Sequence, residues 1–122
     1  MTIYDDSNVF AKILRGDIPC EKIYEDDHVL AFPDINPQAP VHILVIPKGQ
    51  YVSVMDFSAN APAEEVKALW AAVAKIATDQ GLAADGFRTI ANTGVNGGQE
   101  VPHFHVHILG GKRIGPMVSR AA

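Results

Sequence analysis

Residues 101–111 read VPHFHVHILGG and place three histidines, His103, His105 and His107, at every second position. Alternate side chains of a β-strand point to opposite faces, and neighbours on one face are about 6.6 Å apart. The stretch therefore predicts a strand over residues 102–109 with three imidazoles on one face. The opposite, apolar face of this strand consists of Phe104, Val106 and Ile108. The whole chain has only five histidines, so most of its imidazole lies on this strand.

Three interpretations of this histidine face compete. The plainest is a solvated strand face, on which three histidines in register are not expected. A His-X-His pair on a strand can also bind zinc, with His42 or His28 as the third ligand. Finally, a neutral imidazole is a good nucleophile toward phosphorus when an acceptor holds the proton of its other nitrogen. The spacing alone does not choose between a metal site and a nucleophile.

The segment NTGVNGGQE, residues 92–100, runs directly into the histidine strand. Its glycines allow backbone N–H groups to approach an anion closely, and Asn92 and Gln99 add neutral donors. Taken alone, the segment is equally typical of a simple loop between strands. Beside three histidines it favours phosphate chemistry, because zinc needs no such donors.

The remaining hydrophobic pattern predicts one α+β domain over residues 1–122, with an irregular tail from 112. Residues 7–15 predict a short helix capped by Ser7. Residues 62–80 predict the one long helix, whose apolar stripe includes Trp70 and faces the core, and Gly81 ends it. About five antiparallel strands in a meander fit the short connections. Before the histidine strand, these strands are predicted at residues 22–25, 29–35, 41–47 and 86–92.

Composition excludes several classes of function. Hydrophobic residues make up 48% of the chain, which is enough for a folded core. The net charge is -4 and the basic residues are scattered, so a nucleic-acid partner is not expected. The single cysteine, Cys20, cannot form an intrachain disulfide or a multi-cysteine zinc site. No apolar run suits a membrane span and the acidic N-terminus has no signal-peptide form, so we expect a cytoplasmic protein.

HFHVHIL matches the signature of the histidine triad superfamily, in which histidines alternate with apolar residues. Four segments resemble the branch called histidine triad nucleotide-binding proteins, in its bacterial form. They occur in the family's order along nearly the whole chain, and they are FAKILRGDIP, EDDHVLAFPDINPQAPVHILVIPK, NTGVNGGQEVPHFHVHILGG and GPM.

This resemblance implies a purine nucleoside phosphoramidase without a cofactor or metal. Such an enzyme hydrolyses the P–N bond of adenosine or guanosine 5′-phosphoramidates and releases the nucleoside monophosphate and an amine. The branch also implies a homodimer with one continuous sheet. A nucleotide-binding sensor with little turnover and a zinc-dependent hydrolase remain as alternatives.

The resemblance also implies a role for each matching residue. His105 is the nucleophile that forms a nucleotidyl-histidine, His107 contacts the phosphate, and His103 and His42 handle protons. Asp34 bonds the ribose hydroxyls. Other members of the branch carry a serine near the leaving group at the position of Glu100. The further nucleotide-binding residues are Val9, Phe10, Ile13, Phe32 and Ile35 at the base, and Asn92, Gln99, Glu100 and Val101 near the phosphate.

Overall fold

The computed structural model describes residues 3–118 and shows one antiparallel sheet with helices on both faces. Residues 112–118 of the predicted tail contain no helix or strand, and residues 119–122 lie outside the described part. In chain order the elements are α1 (Val9–Leu14), β1 (Tyr24–Glu25), β2 (Val29–Pro33), β3 (Val41–Pro47), α2 (Val54–Asn60), α3 (Ala63–Asp79), β4 (Arg88–Ile90), α4 (Gly94–Gly97) and β5 (Val106–Gly110).

The five strands are arranged in the order β1-β2-β3-β5-β4, and every neighbouring pair is antiparallel. The predicted α+β class and strand number are confirmed. The meander, however, holds only for β1 to β3. The chain leaves β3 through α2 and α3, returns at the outer edge as β4, and then enters between β4 and β3 as β5. This insertion brings β5 beside β3, with Leu44 opposite His107 and His42 opposite Leu109.

The sheet separates two groups of buried apolar side chains, as the alternation of a strand requires. One face packs against α2 and α3, and the predicted apolar side of the histidine stretch belongs to it. That group includes Val29, Ala31, Ile43, Val45, Phe57, Leu69, Val73, Ile76, Phe104, Val106 and Ile108. The other face is partly covered by α1 and consists of Phe10, Leu30, Phe32, Leu44 and Ile46. His42 and His107 lie on this second face, next to Leu44.

The long helix α3 agrees with the prediction in its bounds and in part of its buried stripe, but not at Trp70. Trp70 was predicted in the core, yet 46% of it is exposed. The predicted stripe positions Leu69, Val73 and Ala77 are buried, and Ala72 and Ile76 are buried beside them. The helix ends as predicted at Gly81, whose φ of +75° permits the left-handed turn, while the N–H of Leu82 donates to the carbonyl of Ala77 at 2.9 Å.

Two local details of the short helices differ from the sequence-based expectation. Asn8, not Ser7, caps α1, because its side-chain oxygen accepts the N–H of Ala11 at 2.9 Å. Ser7 instead bonds Asp5. The helix α2 was not predicted at all, although Ser53 and Asp56 form a capping box at its start.

The helices of the described residues were also compared with the dimensions of a bilayer. None of them combines the length and apolar character that a membrane-spanning helix requires.

Candidate active site

Three imidazoles meet on the face of the sheet that α1 partly covers. The ring centroids of His105 and His107 are 5.0 Å apart, and those of His42 and His107 are 5.1 Å apart. His42 comes from β3 and His107 from β5, so the β3–β5 pairing brings them together. Phe10 of α1 packs edge-on against His105 with a centroid distance of 5.0 Å.

The first histidine of the triad lies differently from the other two. The predicted strand over residues 102–109 is wrong at its start, because β5 begins only at Val106. Upstream of it, the N–H of Phe104 donates to the carbonyl of Tyr51 at 2.8 Å, so this segment is tied to a loop. His103 is completely buried and does not line the pocket that the other histidines share.

The hydrogen bonds of His103 and His105 determine which nitrogen of each ring carries the proton. A carbonyl oxygen can only accept, so His105 donates its Nδ1–H to the carbonyl of His103 at 2.8 Å. The Nε2 of His105 is therefore left with the free lone pair. By the same argument His103 donates its Nε2–H to the carbonyl of Pro47 at 2.8 Å. Both ring nitrogens of His103 are engaged, since its Nδ1 lies 2.7 Å from the hydroxyl of Tyr4.

A second chain of hydrogen bonds orients His42 and His107. The backbone N–H of Gln38 can only donate, and it points at the Nδ1 of His42 with an N···N distance of 3.0 Å. The proton of neutral His42 is thus on Nε2, which lies 2.9 Å from the Nδ1 of His107. His107 accepts this bond and carries its own proton on Nε2.

Burial favours the neutral form of His105 and of His107. It lowers the pKa of His105, and the bond to the His103 carbonyl and the charges of Asp34 and Glu100 oppose this shift. Burial also lowers the pKa of His107 to about 4, with further lowering by the neighbouring His105 and His42. A neutral His105 has a lone pair available at ordinary pH, which a nucleophile requires.

A pocket of about 790 Å³ opens in front of these rings. Most of the residues predicted for catalysis and nucleotide binding line it, and two, His103 and Gln99, do not. The predicted residues along its wall are Val9, Phe10, Ile13, Phe32, Asp34, Ile35, His42, Asn92, Glu100, Val101, His105 and His107. The lining residues that sequence reasoning missed include Ile18, Pro19, Cys20, Glu21, Gln38 and Leu44. The segment FAKILRGDIP resembles the family, but its spacing does not show that Ile18 and Pro19 line the pocket.

Gln99 holds the glycine-rich segment together in this structure. Its amide nitrogen donates to the carbonyl of Val52 at 2.6 Å and to that of Val101 at 3.0 Å. Its amide oxygen accepts the N–H of Gly94 at 3.0 Å. The side chain is therefore occupied within the protein, whereas Gly98, in the left-handed region with φ of +72°, lines the pocket. These contacts point to a loop-holding role for Gln99.

Asp34 divides its two carboxylate oxygens between a turn and the histidines. Its Oδ1 accepts the N–H of Asn36 at 2.8 Å, which is the turn-initiating arrangement of an aspartate. Its Oδ2 lies 3.5 Å from the Nε2 of His42 at the pocket wall. This geometry is compatible both with a turn residue and with the pocket acceptor that the resemblance implies.

Asp34, His42 and His107 also form a group that could hold a metal ion, since one ligand atom of each lies within 4.8 Å of the others. His28, the other third ligand considered for zinc, is not part of this group. A metal on the Nε2 of His42 requires the proton to move to Nδ1. On Nδ1 this proton would point at the backbone N–H of Gln38, so that two donors would face each other at an N···N distance of 3.0 Å. The backbone of this loop therefore disfavours a metal ion on His42.

Comparison with known proteins shows the family of this chain. The sequence model of the HIT domain matches residues 15–114. The chain belongs to the HIT family. Its resemblance to histidine triad proteins, read from the sequence, is thereby confirmed. A solved histidine triad protein from Clostridium difficile is 45% identical to this HIT protein with a TM-score of 0.83, and the match covers 95% of this chain and 100% of that one.

Relatives of known sequence cover almost the same length as this HIT protein. The purine nucleoside phosphoramidase of Escherichia coli is 46% identical over 114 residues, 93% of this chain and 95% of its own. An uncharacterized HIT-like protein of Azospirillum brasilense is 55% identical over 117 residues, 96% of either chain. A solved HIT family hydrolase from Legionella pneumophila is 40% identical, with a TM-score of 0.80 over 86% of this chain and 93% of that one.

Proposed function

We propose that this HIT protein is a purine nucleoside phosphoramidase that works through a covalent nucleotidyl-histidine. The observation that carries the proposal is the hydrogen bond from the Nδ1–H of His105 to the carbonyl of His103, at 2.8 Å. This bond leaves the Nε2 lone pair free in a ring that lines the pocket. The similarity to the phosphoramidase of Escherichia coli supports the same activity.

In the first step the Nε2 of His105 attacks the α-phosphorus of a nucleoside 5′-phosphoramidate. The new bond joins Nε2 to phosphorus, and the P–N bond to the amine breaks. In the second step water attacks the phosphohistidine, which releases the nucleoside monophosphate and restores the His105 lone pair. The reaction consumes one water molecule and produces one amine and one nucleotide.

The departing amine takes up one proton in the first step, and the water that attacks in the second step releases one. His103 and His42 were the candidates for this transfer. His103 is buried with both nitrogens engaged, so its geometry does not support a direct role. His42 and His107 form a hydrogen-bonded pair that lines the pocket, and the Nε2–H of His107 is available to a phosphate oxygen. When the pair binds one extra proton from solvent, it can pass that proton to the leaving nitrogen and return to its neutral state. We assign proton handling to this pair.

The remaining pocket residues suit a purine nucleotide. Phe10 and Phe32 pack edge-on at 5.5 Å between centroids and offer an apolar wall to the base. Ile35 is fully exposed at the rim, where a bound base would cover it. Asp34 is the carboxylate for the ribose hydroxyls, and Asn92, Glu100 and Val101 lie toward the phosphate. Gln99 acts on the phosphate only through the loop that it holds.

Hydrolysis of a fluorogenic adenosine phosphoramidate, measured with and without EDTA, tests the activity and its metal dependence together. We expect turnover that EDTA leaves unchanged. Replacing His105 with Ala should lower kcat by about a thousandfold or more, because the covalent route is lost. His28→Ala is the matched control, since His28 lies in the turn between β1 and β2 and should keep normal turnover.

Two results would overturn the proposal. Near-normal turnover by a folded His105→Ala variant would exclude His105 as the nucleophile. Loss of activity in EDTA that zinc restores would favour the metal-dependent hydrolase instead.

We also propose that the protein forms a homodimer and works in the cytoplasm. The edge strand β4, with Phe87 exposed next to it in the single chain, supports a partner at that edge of the sheet. Sedimentation equilibrium of the purified protein measures this directly. A monomer at micromolar concentration would exclude the dimer.

A further inference from the structure

A tyrosine near the start of the chain reaches the buried first histidine of the triad. The hydroxyl of Tyr4 lies 2.7 Å from the Nδ1 of His103, across 99 positions of sequence. The two rings pack edge-on with centroids 5.6 Å apart. Because His103 already donates its only proton to the carbonyl of Pro47, its Nδ1 must accept, and Tyr4 donates this hydrogen bond.

The position of His103 matters to the reaction although its ring never enters the pocket. Its carbonyl is the acceptor that fixes the proton of His105 on Nδ1, at 2.8 Å. The ring of His103 is held from both ends, by Pro47 and by Tyr4. If the ring of His103 moves, the backbone carbonyl of His103 moves with it, and this carbonyl orients the nucleophile His105.

We propose that Tyr4 is a positioning residue of the reaction, whose hydroxyl fixes the ring of His103 and, through the His103 carbonyl, the orientation of His105. The inference rests on the proposed function of His105 as nucleophile. Tyr4 does not line the nucleotide pocket but a second cavity of about 260 Å³, together with Arg15, Lys48 and Gln50. It therefore acts on catalysis without touching the nucleotide.

Loss of the Tyr4 hydroxyl should change the kinetics in a way that loss of packing alone would not. Burial lowers the pKa of His103 to about 4, so its ring stays neutral and its Nδ1 needs a donor inside the protein. Tyr4→Phe keeps the aromatic ring and removes only that donor. We expect kcat to fall about tenfold, with KM within about a factor of two, because the nucleophile is misplaced and the pocket is intact.

Tyr24→Phe is the matched control variant. The hydroxyl of Tyr24 also donates one short hydrogen bond, to Asp26 at 2.6 Å, but in the β1–β2 turn. It should cost stability without changing kcat. Both variants are assayed below their melting temperatures, measured by circular dichroism. Equal kcat for wild type and Tyr4→Phe would overturn the proposal, as would a fall of the same size in Tyr24→Phe.

Nitrogen NMR of protein labelled with [15N]histidine supplies a readout that is independent of turnover. In the wild type, His105 should carry its proton on Nδ1, and His103 should show a hydrogen-bonded, unprotonated Nδ1. In Tyr4→Phe the His105 signals should shift toward a mixture of the two tautomers. A protonated Nδ1 on His103 of the wild type, or unchanged His105 signals in the variant, would overturn the role of Tyr4. Absence of turnover in the wild type would instead contradict the proposed function, and the NMR result would still decide on Tyr4.

Discussion

The Nε2 of His42 lies 2.9 Å from the Nδ1 of His107, and a backbone N–H of the preceding loop decides which of them carries the proton. Gln38 supplies that N–H, so His42 donates and His107 accepts. Together with the bond from His105 to the carbonyl of His103, this arrangement sets the proton positions of the site by backbone groups. A backbone N–H can only donate and a backbone carbonyl can only accept, so each ring keeps one tautomer for as long as it is neutral.

The pH dependence of kcat/KM should show the lowered pKa of His105. Protonation of Nε2 removes the lone pair, and burial lowers the pKa below the ordinary 6.5. We therefore expect the midpoint of the acid limb of kcat/KM to lie below pH 6.5. The charge of Glu100 opposes this shift, so Glu100→Gln should move the acid limb to still lower pH. An acid limb above 6.5, or a shift in the opposite direction, would contradict this assignment.

The stability of the protein should also decrease in acid because of His103. Its pKa is about 4 in the folded protein and 6.5 in the unfolded chain, owing to burial. Between these values the unfolded chain binds a proton that the folded protein does not, so the free energy of unfolding falls as the pH drops from 6.5 toward 4. The expected loss from this group is about 3 kcal/mol. Urea unfolding at pH 7 and at pH 4.5 measures the difference, and His103→Gln should reduce it.

Asp34→Asn tests the carboxylate at the ribose side of the pocket. The amide oxygen can still accept the N–H of Asn36, so the turn is preserved. The charged acceptor is lost, and we expect KM for a ribonucleoside phosphoramidate to rise about tenfold. The KM for a 2′,3′-dideoxy substrate should differ little between wild type and variant, because this substrate has no ribose hydroxyls to bond. An equal rise in KM for both substrates would assign Asp34 to the turn alone. Asp27→Asn, at an exposed position of the β1–β2 turn, is the control.

The strongest apolar patterns of the sequence predicted the sheet well. β3 has the bounds that its apolar run indicated, because a strand buried along its length permits no other register. The histidine strand begins four residues late, since the backbone N–H of Phe104 bonds the carbonyl of the loop residue Tyr51 instead of a neighbouring strand. Such long-range hydrogen bonds leave no local pattern in the sequence.

Elements with a local signal were missed for a different reason. The capping box of Ser53 and Asp56 was readable before α2, but the helix that follows has only seven residues and buries only Phe57. Trp70 has the helical spacing of a core residue, next to Leu69 and Val73. The buried face of α3, however, continues through Ala72 and Ile76 and leaves Trp70 exposed. The link from Tyr4 to His103 spans nearly the whole chain and only the fold shows it.

The covalent intermediate on His105 is the central claim, and rapid quenching tests it most directly. The protein is mixed with an adenosine phosphoramidate, quenched in alkali within the first turnover, digested and analysed by mass spectrometry. We predict an adenylyl adduct on the peptide that contains His105, assigned to that ring by fragmentation, and no adduct in His105→Ala. Continued hydrolysis with no adduct at any time point, or an adduct on His107 instead, would contradict the mechanism.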